Sequence, residues 1–353
     1  MKLLIITNMW PLPQKPNFGI FVKNFCEELA LRNFPFKVIY PEKQYEFSPF
    51  KYLALWQKLA SMKETFDLAQ VEYAFPTDLT TRGSNRLRFR NKIIVFHGSD
   101  LRLWRRLPAG KRIYQKMIDD AAAVVFPSRR SAGEIQENFK LDSAKSFVIP
   151  RGIDLIFLNP VNREVSRKDL GIPDSEVVIL TVANFVPVKN HLTILKALQS
   201  LKPQVKTTVC FVGDGPTRVK VEKEASKLNV SNLKVVFAGS VPKEEVVKYY
   251  DAADIFVTAS LSEGYNVSLQ EAMARGLAII ASDIPAHREA LEENKTGLFF
   301  SPLDSSYLSE LLNVLIKDER LRKELGMAAR KSGSIWTIKR TVDEYLKLYN
   351  LLS

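Results

Sequence analysis

Short apolar runs alternate with stretches of helical periodicity along the whole chain, and that alternation leaves few folds open. Parallel strands need a crossover of a dozen or more residues between them, and a helix supplies it. The runs form two series. The first comprises Lys2–Thr7, Lys37–Tyr40, Leu68–Glu72, Lys92–Phe96, Ala123–Pro127 and Ser146–Ile149; the second comprises Val177–Val182, Thr207–Val212, Lys234–Ala238, Asp254–Thr258, Ala278–Ala281 and Gly297–Phe300. Between them, Pro150 to Asp154 and on through Asn159-Pro160 interrupts the pattern and reads as a hinge. A chain of 353 residues also exceeds the usual size of one core. The expectation is an α/β protein of two Rossmann-like, doubly wound domains facing across a cleft, a natural place for two substrates.

Composition narrows the class. With 46% hydrophobic and 25% charged residues the chain is ordinary globular protein, and no run approaches the ~20 apolar residues that span a bilayer. The opening Met1–Asn8 could pass for a signal peptide, but Asn8, Pro11 and Pro13 cut its apolar core short, and a first strand is the better reading. Cys26 and Cys210 fall in an expected helix and an expected strand, too few and too far apart for a disulfide or metal framework. A cytoplasmic location follows as the expectation.

The net charge of +12 is uneven: residues 1–160 hold 25 Lys and Arg against 15 Asp and Glu, whereas residues 161–353 hold 26 against 24. Eleven cations crowd between Arg82 and Lys116, among them Arg86, Arg88, Lys92, Arg102, Arg105, Arg106, Lys111 and Arg112, interleaved with Leu87, Trp104 and Tyr114. Such a stretch suits an anionic membrane surface, with a merely solubilising surface as the competing reading. Nucleic acid is disfavoured, because none of its common recognition modules is visible.

Chemistry concentrates in Glu263-Gly264-Tyr265-Asn266-Val267-Ser268-Leu269-Gln270-Glu271. A buried strand precedes it, and Leu269 to Arg275 reads as a helix stopped by Gly276. Glu263 therefore lies in a strand-to-helix loop and Glu271 within the helix. A loop at the carboxyl edge of a parallel sheet faces the ligand crevice, and the amides opening its helix favour an anion. Two carboxylates around such a site suit a sugar nucleotide, although an exposed loop acid and an ordinary helix glutamate would give the same spacing.

Ser262 to Ser268, followed by Glu271 to Gly276 and Ala281-Ser282-Asp283, resembles the signature of the retaining glycosyltransferases of family 4 (group 1, GT-B fold). Gly19, His97-Gly98-Ser99-Asp100, Arg151-Gly152-Ile153-Asp154, Pro187 to Asn190, Gly213-Asp214-Gly215-Pro216 and Thr296-Gly297-Leu298 extend the likeness over most of the chain. The resemblance implies an acceptor-binding domain over 1–155, completed by a terminal helix over 337–353 that crosses back to it. It also implies a nucleotide-sugar-binding domain over 156–336.

Roles carried over by resemblance are these. His97 contacts the donor sugar near the reacting carbon, Lys189 neutralises the departing diphosphate, and Glu263 holds hydroxyls of the transferred sugar. Donor-binding positions are Gly19, Asn184, Gly213, Val241, Tyr265, Asn266, Val267, Ser268 and Glu271, the last on the ribose hydroxyls. The family usually has an arginine where this chain has Asn184, which removes one cation. The segment Gly239 to Pro242 matches a loop that reads the base through backbone groups, so a UDP- and a GDP-linked donor both stay open. His287 receives no role, and His191 reads as structural.

The implied reaction moves a hexose-type sugar from a nucleotide diphosphate to an acceptor hydroxyl with retained configuration. The setting would be bacterial polysaccharide or glycolipid assembly, and the acceptor a glycan or lipid-linked glycan. No Asp-x-Asp motif is present, so no metal and no cofactor is expected, and the enzyme would be cytoplasmic or peripheral on the inner face of the membrane. A sugar-nucleotide epimerase of the same fold and a non-catalytic nucleotide-sugar-binding protein are the alternatives. A nicotinamide-dependent oxidoreductase would need glycines in the first turn, and Thr7 to Pro11 has none.

Overall fold

A computed structural model describes residues 1–12, 18–42, 50–82, 89–159, 161–333 and 336–352. Pro13, Arg86, Leu87, Arg88 and Pro160, all used above, lie outside the described residues. The chain divides into two compact units, Met1–Gly152 with Trp336–Ser353, and Ile153–Ile335.

In the first unit β1 (Leu3–Thr7), β2 (Phe36–Ile39), β3 (Phe66–Glu72), β4 (Phe89–Val95), β5 (Ala123–Phe126) and β6 (Ser146–Val148) form one parallel sheet in the order β2-β1-β3-β4-β5-β6. In the second, β7 (Val177–Val182), β8 (Thr207–Val212), β9 (Leu233–Gly239), β10 (Ile255–Thr258), β11 (Ala278–Ser282) and β12 (Leu298–Phe300) form another, in the order β12-β11-β10-β7-β8-β9. Both units are therefore Rossmann-like. Every residue of β1, β5, β10 and β11 is buried, because helices cover both faces of a parallel sheet; hence the unbroken apolar runs. Truncating one such residue, Ile280 for example, to alanine would cost about 2–5 kcal/mol.

Strand order fixes where a ligand crevice can open. In the second sheet the chain lays β8 and β9 on one side of β7, then returns to build β10, β11 and β12 on the other. The topological switch point thus lies between β7 and β10. The same reversal in the first sheet falls between β1 and β3.

The terminal helix Ile338–Leu352 belongs to the first unit and packs on the helix Ile20–Leu31. Tyr345 meets Phe25 edge-on at 4.9 Å between ring centroids, Thr341 Oγ1 donates to the Pro150 carbonyl at 2.8 Å, and Arg32 pairs with Asp343.

Two details depart from the sequence reading. Asp254 stands just outside β10, although its N–H still donates to the Val178 carbonyl at 2.9 Å, and its carboxylate accepts from Val178 N–H at 2.8 Å, Arg163 at 2.7 Å and Arg167 at 2.9 Å. The cationic stretch is also partly spent internally. Lys92 is buried against Asp78 at 2.5 Å, Arg82 bonds the same carboxylate, and Arg102 grips Glu134 at 2.5 and 2.8 Å. Lys111, Arg112 and Lys116, on the helix Gly110–Asp119, remain exposed. Among the described residues no helix is long and apolar enough to cross a membrane.

Candidate functional site

The second unit brings its loops together at the switch point. Asn266 caps the helix Val267–Arg275, its Oδ1 accepting from Leu269 N–H at 3.2 Å, and Gly276 at φ 75° ends the helix. The amides of Val267 and Ser268, at the first two helical positions, have no carbonyl a turn earlier to bond, and such a helix end favours an anion. Glu263, in the preceding loop, pairs through Oε1 with Lys189 and accepts from Ser260 Oγ at 2.6 Å. Lys189 reaches it because Leu261 N–H donates to the Val188 carbonyl at 2.8 Å, stitching the loop after β10 to the loop after β7.

Glu271, half-buried on the helix, bonds apart from that pair. It accepts from the Tyr250 hydroxyl at 2.9 Å, and Tyr250 itself is fully buried. Burial pushes the Glu271 carboxyl up to about 7, against the opposing pulls of the Tyr250 hydrogen bond and of Lys243. Lys243 is in turn paired with Asp154.

The other donor-binding candidates of the second unit follow the carboxyl ends of β7, β8, β9 and β10. Gly213, at φ 134°, follows β8. A side chain there would put Cβ 2.0 Å from the Ala183 carbonyl oxygen, so the approach of these two loops already demands glycine. Asn184 is exposed in the loop after β7, Val241 is half-buried after β9, and Tyr265 is half-buried beside Asn266. His191 is buried and stacked on Phe185 at 4.2 Å, and burial pushes its ring down to about 4.

In the first unit His97 follows β4 and is held at both nitrogens. Arg151 Nη2 stands 2.5 Å from Nδ1, and Glu72 Oε2 stands 2.5 Å from Nε2. A guanidinium only donates, so Nδ1 accepts, and the hydrogen sits on Nε2 and points to Glu72. Gln70 donates to the other oxygen of Glu72 and accepts from Tyr349 of the terminal helix. Phe21 packs on the His97 ring at 4.9 Å, and the Arg151 guanidinium lies 4.1 Å over Phe21. Gly19, at φ 73°, opens the helix Ile20–Leu31, and a Cβ there would stand 2.5 Å from the Met9 carbonyl carbon. Its glycine is required by that contact before any ligand is considered.

Sequence reasoning gave no role to Glu72, Gln70, Tyr250 or His287. Gln70 and Glu72 did carry a signal: two polar residues at i and i+2 share one face of a strand whose other buried residues are apolar. Among the described residues no group of three or more His, Cys, Asp or Glu could hold a metal ion.

Comparison with known proteins agrees with this fold. The model for Glycosyltransferase Family 4 matches residues 5–157, and that for Glycosyl transferases group 1 matches residues 162–332. The N-acetyl-alpha-D-glucosaminyl L-malate synthase of Bacillus anthracis is 25% identical over 81% of this chain and 76% of its own length. A D-inositol 3-phosphate glycosyltransferase of Corynebacterium urealyticum is 27% identical over 70% of this chain, and the match spans 61% of that relative. The solved structure of Anabaena Alr3699/HepE in complex with UDP and glucose superposes with a TM-score of 0.78 at 17% identity, covering 99% of each chain. The two family models leave unmatched only the chain ends and the short link 158–161, and the chain belongs to the family 4, group 1 glycosyltransferases.

Proposed function

We propose that this glycosyltransferase moves a hexose-type sugar from a UDP- or GDP-linked donor to a hydroxyl of a glycan or lipid-linked glycan, retaining the anomeric configuration and using no metal. The observation that carries the reading is the Lys189–Glu263 pair at the switch point of the second sheet, beside the open amides of Val267 and Ser268. A diphosphate seated on those amides draws Lys189 to itself and frees Glu263 for sugar hydroxyls. Glu271 takes the ribose hydroxyls. In the first unit His97 is the candidate for the transferred sugar, exchanging Arg151 at Nδ1 for a sugar hydroxyl.

The bond from the anomeric carbon to the diphosphate oxygen breaks, and the acceptor oxygen bonds the same face of that carbon. The acceptor proton passes to the leaving phosphate. The protein then supplies position and charge rather than a nucleophile. Lys189 and the helix amides carry the diphosphate charge, so turnover should survive a chelator. The relatives' printed activities, on L-malate and on inositol phosphate, support transfer to a hydroxyl. The exposed cations Lys111, Arg112 and Lys116 suit a peripheral place on an anionic membrane surface, at the cytoplasmic face.

Thermal stability measured against UDP-, GDP- and ADP-sugars tests the donor site, since a ligand at a hundred times its dissociation constant adds about 2.7 kcal/mol. A shift confined to one base identifies the donor class. No shift with any of them overturns the donor site, and an altered sugar formed without acceptor would make the protein an epimerase.

A further inference from the structure

His287 lies on the short helix Pro285–Ala290, is fully buried, and takes no part in the reaction as proposed. Its ring nitrogens are both engaged. Nδ1 stands 2.8 Å from the carbonyl oxygen of Ser282, which only accepts, so Nδ1 carries the hydrogen. Nε2 is then a bare lone pair, 3.0 Å from Nδ2 of Asn266. That contact orients the Asn266 amide. With Nδ2 turned toward His287 and toward Thr258 Oγ1 at 3.2 Å, Oδ1 is left to accept from Leu269 N–H and cap the helix Val267–Arg275. A reversed amide would set NH2 against N–H and lose the cap. Burial pushes the pKa of His287 down, with Glu263 raising it and Lys189 lowering it, which favours the neutral ring that this contact needs.

The same turn also grips the other end of the loop. Ser282 Oγ donates to the Ser260 carbonyl at 2.6 Å, and the Ser260 hydroxyl donates to Glu263. We propose that His287, as its neutral Nδ1–H tautomer, is a positioning residue that presents an acceptor to Asn266 and so holds the diphosphate-binding end of the helix Val267–Arg275. The inference rests on the proposed donor site and adds a residue to it. It acts through Asn266 and never touches substrate.

The test combines calorimetry with nitrogen NMR. UDP and GDP are titrated into the wild type, His287→Phe and His287→Gln, and the ring nitrogens of wild-type His287 are observed without ligand. Phenylalanine keeps the volume but removes the acceptor, and should weaken diphosphate binding roughly five- to tenfold. Glutamine returns an acceptor near Nε2 and should recover most of that loss, which a purely structural role would not produce. NMR should show a protonated Nδ1 and an unprotonated Nε2. Equal affinity in the phenylalanine variant and the wild type, no difference between the two variants, or a proton on Nε2 would overturn the proposal. The NMR arm stands even if His287→Phe fails to fold. A wild type that binds neither diphosphate overturns the donor site and this inference with it; normal binding with the wrong tautomer overturns the clamp alone.

Discussion

His97 in the first unit and His287 in the second both belong to segments leaving the carboxyl end of a parallel strand, yet their rings are held in opposite tautomers. At His97 a guanidinium, able only to donate, makes Nδ1 an acceptor and sends the hydrogen to Glu72. At His287 a backbone carbonyl, able only to accept, places the hydrogen on Nδ1 and leaves Nε2 for Asn266. The partner, not the ring, decides the tautomer. His97 sits in a hydrogen-bonded chain between the charges of Glu72 and Arg151, continued from Glu72 through Gln70 to Tyr349. His287 sits in a neutral frame behind the charges of Lys189 and Glu263. Removing the first leaves a half-buried cation and a buried anion without their bridge; removing the second leaves an amide free to turn.

The contrast between working charge and neutral frame can be broken most forcefully at Glu263. Glu263→Ala should lower turnover by at least about a hundredfold while leaving diphosphate affinity within a few fold, because a group that positions the reacting sugar acts on the chemical step. Steady-state kinetics with wild-type turnover would remove Glu263 from the site. Lys189→Ala comes next. It should weaken UDP or GDP binding about ten- to a hundredfold, the range of a lost charge-assisted hydrogen bond, and an unchanged calorimetric affinity would take the loop after β7 out of the donor site.

Glu271 sharpens the comparison through pH. Its carboxyl titrates near 7 rather than at the ordinary 4.5, so the folded protein holds a proton there that the unfolded chain has lost. Between those values stability falls as pH rises, and above about 7 the full cost of burying the charge is present. Ribose hydroxyls donate to the charged form. Affinity for a nucleotide sugar should therefore climb by up to about tenfold from about pH 6 to about pH 8, and Glu271→Gln should flatten the curve. An unchanged slope in that variant would assign the titration elsewhere.

The smallest effect concerns surface charge, which only the first unit carries in excess. Arg112→Ser should weaken binding to anionic vesicles by about fivefold, at ~1 kcal/mol per cation near the surface, with the loss fading as salt rises. Arg102→Ser, already spent on Glu134, should change little. Equal effects would show that the ion pair does not hold Arg102 from the membrane.

The fold was largely legible because burial on both faces of a parallel sheet writes strands as continuous apolar runs. All twelve runs are strands, with ends moved by three residues or fewer. The boundary that moved most was that of β4, which starts at Phe89 rather than Lys92, since Arg90 and Asn91 break the apolar pattern while Phe89 and Asn91 still pair with Phe66 and Leu68 of β3. Glu263, Asn266 and Glu271 stood out because their spacing is local, nine residues spanning a loop and the helix it enters. Glu72 with His97, and His287 with Asn266, did not: their meaning lies in pairs separated by 25 and 21 positions.

Sequence alone determined the two series of strands, the interruption near residue 152, the residues offered at the strand ends and the family resemblance, because each is written in periodicity or in short spacing. Tertiary structure decided the order of strands and hence the switch point where Lys189 meets Glu263. It also decided which cations are spent on Asp78 and Glu134, and which nitrogen of each histidine carries the proton. Those outcomes depend on which groups crossover connections bring within hydrogen-bond reach, and distance along the chain does not encode that.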